Sequence, residues 1–219
     1  MKNEVMAVIG DGDINIDTFF QSLSAEKQAH SRQTAKIAQQ LLEWAIPEDP
    51  ENYGSISPPE VGRAALYHDI GLTLIPLRIL DKTSDLTGPE FRVLQQHTTY
   101  GASILDRVRK ASPDTPAQEA FWTLAAEIAL GHHERWDGKG YPYGQLAMTV
   151  PLEVRAVSIA EAFDNMVRGA PYRMALPPEY ALLEISQNAG SQFDPFLSRV
   201  FLAHRATLLD QAHEFTAAV

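Results

Sequence analysis

The sequence predicts an all-α protein built as one helical bundle. Apolar residues recur at helical spacing along most of the chain. No alternating apolar run is bounded by hairpin turns. Clusters of Pro, Gly and Ser punctuate the chain at intervals suited to helices. With 219 residues, 45% of them apolar, the chain can fill one compact core. The expected organisation is a helical domain over residues 23–219 preceded by an N-terminal extension, residues 1–22.

The first long helix falls in "SLSAEKQAHSRQTAKIAQQLLEWA", with Ser24 as its N-cap and Ile37, Leu41 and Trp44 on one face. Lys27 stands where a capping box would need an acid. "PEDPENYGSISPP" is a loop, after which Pro58 and Pro59 open a helix through "EVGRAALYHDIG" that Gly71 is expected to end. "GPEFRVLQQHTTYGASILDRVRK" is a third helix, broken by "SPDTP", and "AQEAFWTLAAEIALGHHE" is a fourth. "RWDGKGYPYGQLAMTVP", with three glycines and two prolines, is a loop. "LEVRAVSIAEAFDNMVRG" is a fifth helix, and "PPEYALLEISQNAG" and "DPFLSRVFLAHRATLLDQAHEF" complete the helical chain.

Composition bounds the function. The chain has no cysteine, so disulfides, thiolate metal sites and thiol catalysis are excluded. A formal net charge of −10 argues against long nucleic acid, where Lys and Arg must displace counterions. It leaves room for a small anionic ligand drawn by bound metal ions. "MKNEVMAVIGDGDINIDTFF" does not read as a signal peptide, and no apolar run reaches the roughly 20 residues that span a bilayer. The expectation is a soluble, cytoplasmic protein.

Seven histidines are present, and five of them fall on four separate predicted helices: His30, His68, His97 and the pair His132/His133. Any one of them alone reads more readily as a hydrogen-bonded or exposed residue than as a ligand. Jointly they are harder to dismiss. A His-Asp pair (68/69) closes one helix, a His-His pair closes another, and His97 sits in mid-helix. Glu26 lies one helical turn before His30. Without sulfur, a metal here takes N and O ligands, which favours iron, manganese or zinc. His204 and His213 read as ordinary surface or packing residues.

The segments "HDIG" (68–71), "IPLRIL" (75–80), "HTTYGASIL" (97–105), "HHERWDGKGYP" (132–142), "VPLEVRAVSIAEAFDN" (150–165) and "GSQFDPFL" (190–197) resemble the HD-GYP subfamily of HD-domain phosphohydrolases. The resemblance runs in register from about Glu26 to His204. It implies a helical-bundle phosphodiesterase that hydrolyses cyclic di-GMP to the linear dinucleotide, to GMP, or to both. It also implies two or three divalent metal ions, Fe or Mn foremost. Carried over by position, the metal ligands are Glu26, His30, His68, Asp69, His97, His132, His133 and Glu161, with His68 and Asp69 at the catalytic centre. Lys139, Gly140, Tyr141 and Arg173 are the implied substrate-side residues, the loop 140–142 being also a contact for other signalling proteins. A homodimer is a further partner the resemblance allows.

The chain departs from the family pattern at three positions. Glu161 stands where the family has Asp, and its extra methylene pushes the carboxylate outward. Leu72 stands where the family has a lysine beside the reacting phosphate. Ala170 takes the first cation out of a phosphate clamp, while Arg173 keeps the second. The expected reaction is in-line attack by a metal-bridging hydroxide on one phosphodiester. Three carboxylates and one hydroxide balance two divalent ions, and a third ion leaves a surplus that matches a ligand with two phosphodiesters. Turnover is expected to be slow, a lost electrostatic donor costing on the order of 10²–10³ in rate. The competing reading is a catalytically weak or inactive receptor for cyclic di-GMP, or a protein-interaction module. A phosphohydrolase acting on another nucleotide is a third.

Smaller readings concern the loop. Tyr141 serves equally as a packed aromatic in a rigid turn or as the mouth of a pocket. Trp136 reads as packing, and Asp137 as a brace for the Gly-rich loop. Arg135 and Lys139 are solvated charges or attractors for an anion.

Overall fold

A computed structural model describes residues 15–111, 115–169 and 174–216, side chains being described as far as 213. Ala170 and Arg173, two positions of the expected phosphate clamp, lie outside the described residues. Among those residues every regular element is a helix, with only isolated bridges at Asp137–Leu146 and Ala189–Phe193.

The elements run α1 (Ile16–Ser22), α2 (Ala25–Ala45), α3 (Pro50–Tyr53) and α4 (Pro58–Ala65). A 3₁₀ turn (Ile70–Leu74), α5 (Leu77–Leu80), α6 (Gly88–Ala111) and α7 (Pro116–Gly131) follow. After a second 3₁₀ turn (Ala147–Thr149) come α8 (Leu152–Arg168), α9 (Pro178–Gln187), α10 (Pro195–Ala203) and α11 (Arg205–Thr216). Helix α2 is central: it packs on α4, α8 and α10, while α6 packs on α7 and on the first 3₁₀ turn.

Local chemistry explains the starts. Ser24 caps α2, its Oγ accepting from the Lys27 amide at 3.2 Å. Thr115 and Asp194 cap α7 and α10 in the same way. Pro50, Pro58, Pro116, Pro178 and Pro195 occupy first-turn positions, where the missing N–H is no loss. Ile37, Ala38, Leu41 and Leu42 bury one face of α2 almost completely, each Leu or Ile contributing roughly 1.5–3 kcal/mol of burial. A buried ion pair between Arg155 and Asp194 ties α8 to the start of α10, and the Arg155 guanidinium also donates to the Val150 carbonyl.

Three details differ from the sequence expectation. Residues 16–22 form a helix whose Phe20 is buried and packs edge-on against Tyr67. The final helical stretch is divided at His204, which stacks flat on Trp44 at 4.1 Å. The helix opened by Pro58 stops at Ala65 rather than at Gly71, so His68 and Asp69 lie in a turn.

Gly71 has a different duty from the one expected. A Cβ on it would stand 2.0 Å from the His97 carbonyl oxygen and 2.5 Å from the Gly101 amide. The glycine lets the turn that carries His68 and Asp69 lie directly on the helix that carries His97. Gly71→Ala is therefore expected to cost at least about 1–3 kcal/mol, the scale of an overpacked core. A urea melt checks it; a midpoint equal to wild type would contradict this account.

Candidate metal centre

The histidines expected from the sequence converge. His30 comes from α2, His68 and Asp69 from the turn after α4, His97 from α6, and His132 and His133 from the end of α7. They form two donor groups, His30/His68/Asp69 and His97/His132/His133, with the donor atoms of each group within 4.8 Å of one another. Ring centroids of His30 and His68 are 5.2 Å apart, those of His68 and His132 5.0 Å, and those of His97 and His133 5.1 Å. Asp69 joins the groups: one oxygen lies 3.4 Å from His97 Nε2 and 3.8 Å from His132 Nε2, the other 3.8 Å from His68 Nε2.

Hydrogen bonding fixes which ring nitrogens face inward. His68 Nδ1 lies 2.9 Å from the Ala65 carbonyl, His97 Nδ1 2.7 Å from that of Leu94, and His132 Nδ1 3.0 Å from that of Ala129. A carbonyl only accepts, so each Nδ1 carries the proton and each Nε2 presents a lone pair. His30 follows the same rule with a carboxylate: Nδ1 donates to Asp164 Oδ2 at 2.7 Å. His30 Nε2 and His68 Nε2 are buried with no hydrogen-bond partner. His97 Nε2 and His132 Nε2 face each other at 3.3 Å, two acceptors with no proton to share. Buried acceptors turned on one another are costly unless a cation sits among them. Outward N–H bonds that orient imidazoles toward an inner site are the arrangement of metal ligands. The residues present thus fit divalent cations.

Electrostatics agree. Burial holds His68 down at about 4, with the neighbouring histidines opposing its charge further. Burial pushes His97 down and His132 and His133 well down, so the imidazoles stay neutral and available. Burial works to raise Asp69, but the adjoining His68 and His97 rings and the Lys27 charge outweigh it and hold the carboxyl well below its ordinary range. Burial lifts Glu161 to about 7, aided by the negative charge of Asp69. A cation beside that carboxyl would favour its ionised form.

The remaining candidates take separate places. Glu161 is buried, accepts a hydrogen bond from Asn165, and lines a cavity of about 430 Å³ together with Asp69, His97 and His133. Asp164, one turn along α8, holds the His30 ring and is itself gripped by Arg168 at 2.6 Å. Glu26 is exposed and belongs to neither donor group; it lines another cavity with Asp164 and Arg168. Leu72 is buried in the wall of the first cavity, and Lys27 lines it too.

The loop after His133 is braced from within. Glu134 is buried, and its two oxygens accept from the amides of Tyr143 (2.7 Å) and Gln145 (2.9 Å). Asp137 pairs with Arg135 through both oxygens and accepts from the Lys139 amide. A Cβ on Gly140 would stand 2.5 Å from the His133 carbonyl oxygen, so only glycine lets the loop fold back on the histidine pair. Tyr141 then lies over His133, centroids 4.7 Å apart, and lines the first cavity. Lys139 is exposed at the rim of a neighbouring cavity that Gly140 and Tyr141 share. Trp136 packs beneath the Arg155 guanidinium. Sequence reasoning overlooked Glu134 as the loop's anchor and Lys27 as a cavity residue. The signal for Lys27 was its place one turn before His30.

An all-helical frame that turns five imidazole rings and a carboxylate on one another defines a helical metal-site protein. The chain belongs to the HD domain family, whose model matches residues 19–197. It is 40% identical over 151 residues to a cyclic di-GMP phosphodiesterase of Thermotoga maritima, covering 69% of this chain and 39% of that protein. It is 30% identical over 208 residues to a cyclic di-GMP phosphodiesterase of Vibrio cholerae, covering 92% of this chain and 41% of that one. The chain thus spans about two fifths of the length of these relatives. In fold it is similar to a solved cyclic GMP-AMP specific phosphodiesterase of Vibrio cholerae, with a TM-score of 0.54 at 21% identity. That match covers 84% of this chain and 45% of the other. Among the described residues no helix is long and apolar enough to cross a membrane.

Proposed function

We propose that the chain is a metal-dependent phosphodiesterase acting on cyclic di-GMP. The single observation that carries this reading is the pair of donor groups joined by Asp69. Divalent ions held there supply Lewis acidity toward phosphate oxygens and activation of water. His30, His68 and Asp69 would hold one ion, and His97, His132 and His133 another, with Glu161 placed to join them from the cavity side. The nitrogen and oxygen donors suit iron, manganese or zinc, and the family resemblance points to iron or manganese among them. A third ion would need Glu26, which stands apart from both groups.

The chain's own residues define the rest of the site. The cavity of about 430 Å³ opens onto Asp69, His97 and His133, so a phosphodiester entering it meets the donor groups directly. Phe91, Leu94 and Leu72 give it an apolar side that limits water and strengthens charge interactions. Asn188 and Gln192 line it with side-chain amides, a group type that pairs with sugar hydroxyls or base edges. Tyr141 covers His133 and lines the cavity, a position that suits either of the roles the sequence left open.

The test is product formation. Protein purified anaerobically and loaded with Fe(II) or Mn(II) should convert cyclic di-GMP to linear dinucleotide or GMP above a protein-free control. His68→Ala should abolish it. Tight binding with no product would instead support the receptor reading. Turnover of a different nucleotide in a substrate panel would replace the substrate.

A further inference from the structure

The phosphodiester reading leaves one need unmet on the protein side: a cation for the anionic substrate. Among the described residues lining the central cavity, Lys27 is the only lysine or arginine, against Asp69, Glu161 and Glu184. It stands one helical turn before His30 and so projects from the same side of α2. It is partly buried, and among the described residues its ammonium forms no ion pair. It lines the same cavity as Asp69, His97, His133 and Glu161. The cavity wall at position 72 is leucine, which can neither donate nor carry charge. The neighbouring cavity has basic residues, but Arg135 there is already committed to Asp137 and Gln192.

We propose that Lys27 is a substrate-binding residue, its ammonium donating to a non-bridging oxygen of the phosphodiester and holding that group against the two donor groups. The proposal rests on the phosphodiesterase reading. A lysine suits the task because it is a compact charge with three donors on a flexible stem. Low-dielectric neighbours such as Leu72 and Leu94 strengthen the contact. A residue placed merely to offset the carboxylates would behave oppositely. Its removal would leave phosphate affinity intact and change metal retention.

Three variants test this: Lys27→Met, Lys27→Arg, and Lys27→Met combined with Leu72→Lys. Each is loaded with manganese, its metal content is measured, and its affinity for a hydrolysis-resistant phosphorothioate analogue of cyclic di-GMP is determined by calorimetry alongside kcat and KM. Lys27→Met should keep its manganese and weaken analogue binding by about 10- to 100-fold, the scale of a charged hydrogen bond. Lys27→Arg should retain most of the affinity, and the relocated lysine at position 72 should regain part of it. Affinity and kcat/KM equal to wild type in Lys27→Met would overturn the proposal. So would a loss of manganese in step with the loss of turnover. Wild-type protein that neither hydrolyses cyclic di-GMP nor binds the analogue would refute the phosphodiesterase reading itself, and Lys27's role with it.

Discussion

Asp69→Asn is expected to lower metal content and to cut phosphodiester turnover by more than about 10²-fold, beyond what loss of an outer-shell partner costs. Asp69 is the residue whose two oxygens face both donor groups: His68 on one side, His97 and His132 on the other. Asparagine keeps the shape and one oxygen but removes the charge, leaving both donor groups neutral and Glu161 as the remaining carboxylate beside the ions. Elemental analysis together with circular dichroism separates metal loss from unfolding. A folded Asp69→Asn protein with undiminished metal would contradict the shared-carboxylate arrangement.

Chelation is expected to lower the melting temperature by about 5–16 °C. Binding of a ligand to the folded state at 100 to 1,000 times its dissociation constant stabilises it by about 2.7–4.1 kcal/mol. For a domain of this size each kcal/mol moves the midpoint by roughly 2–4 °C. The structural cause is specific. Without an ion, the inward Nε2 atoms of His30 and His68 have no partner, and those of His97 and His132 oppose one another. Scanning calorimetry with and without chelator reads the shift, and readdition of Mn(II) should reverse it. An unchanged midpoint would mean that the imidazoles are content without a cation.

Much of the fold was legible because its signals are local. The Ser24 cap, the first-turn prolines and the buried face of Ile37 and Leu41 all act within a few residues of where they are read. The five converging histidines were legible from their joint distribution over four predicted helices, although each alone says little. What stayed hidden depends on contacts distant in sequence. His30 meets Asp164 across 134 positions, a pairing no periodicity encodes. Gly71 read as a helix stop because glycine commonly is one, whereas its true constraint is the His97 carbonyl on another helix. The division of the last helical segment at His204 accompanies a stack on Trp44 from α2, again invisible locally. Lys27 escaped because it was weighed only as a capping residue.

The carbonyls that orient His68, His97 and His132 lie three residues behind each ring on the same stretch of chain. These three rings therefore take their aim from their own local backbone, with no dependence on the ion, while His30 takes its aim from Asp164. The cage is preformed: exchanging one ion for another requires no refolding, and rigid rings of fixed tautomer distinguish poorly between ions of similar size. If the proposed site holds iron or manganese, the choice between them would rest on supply and oxidation state rather than on any refolding of the chain.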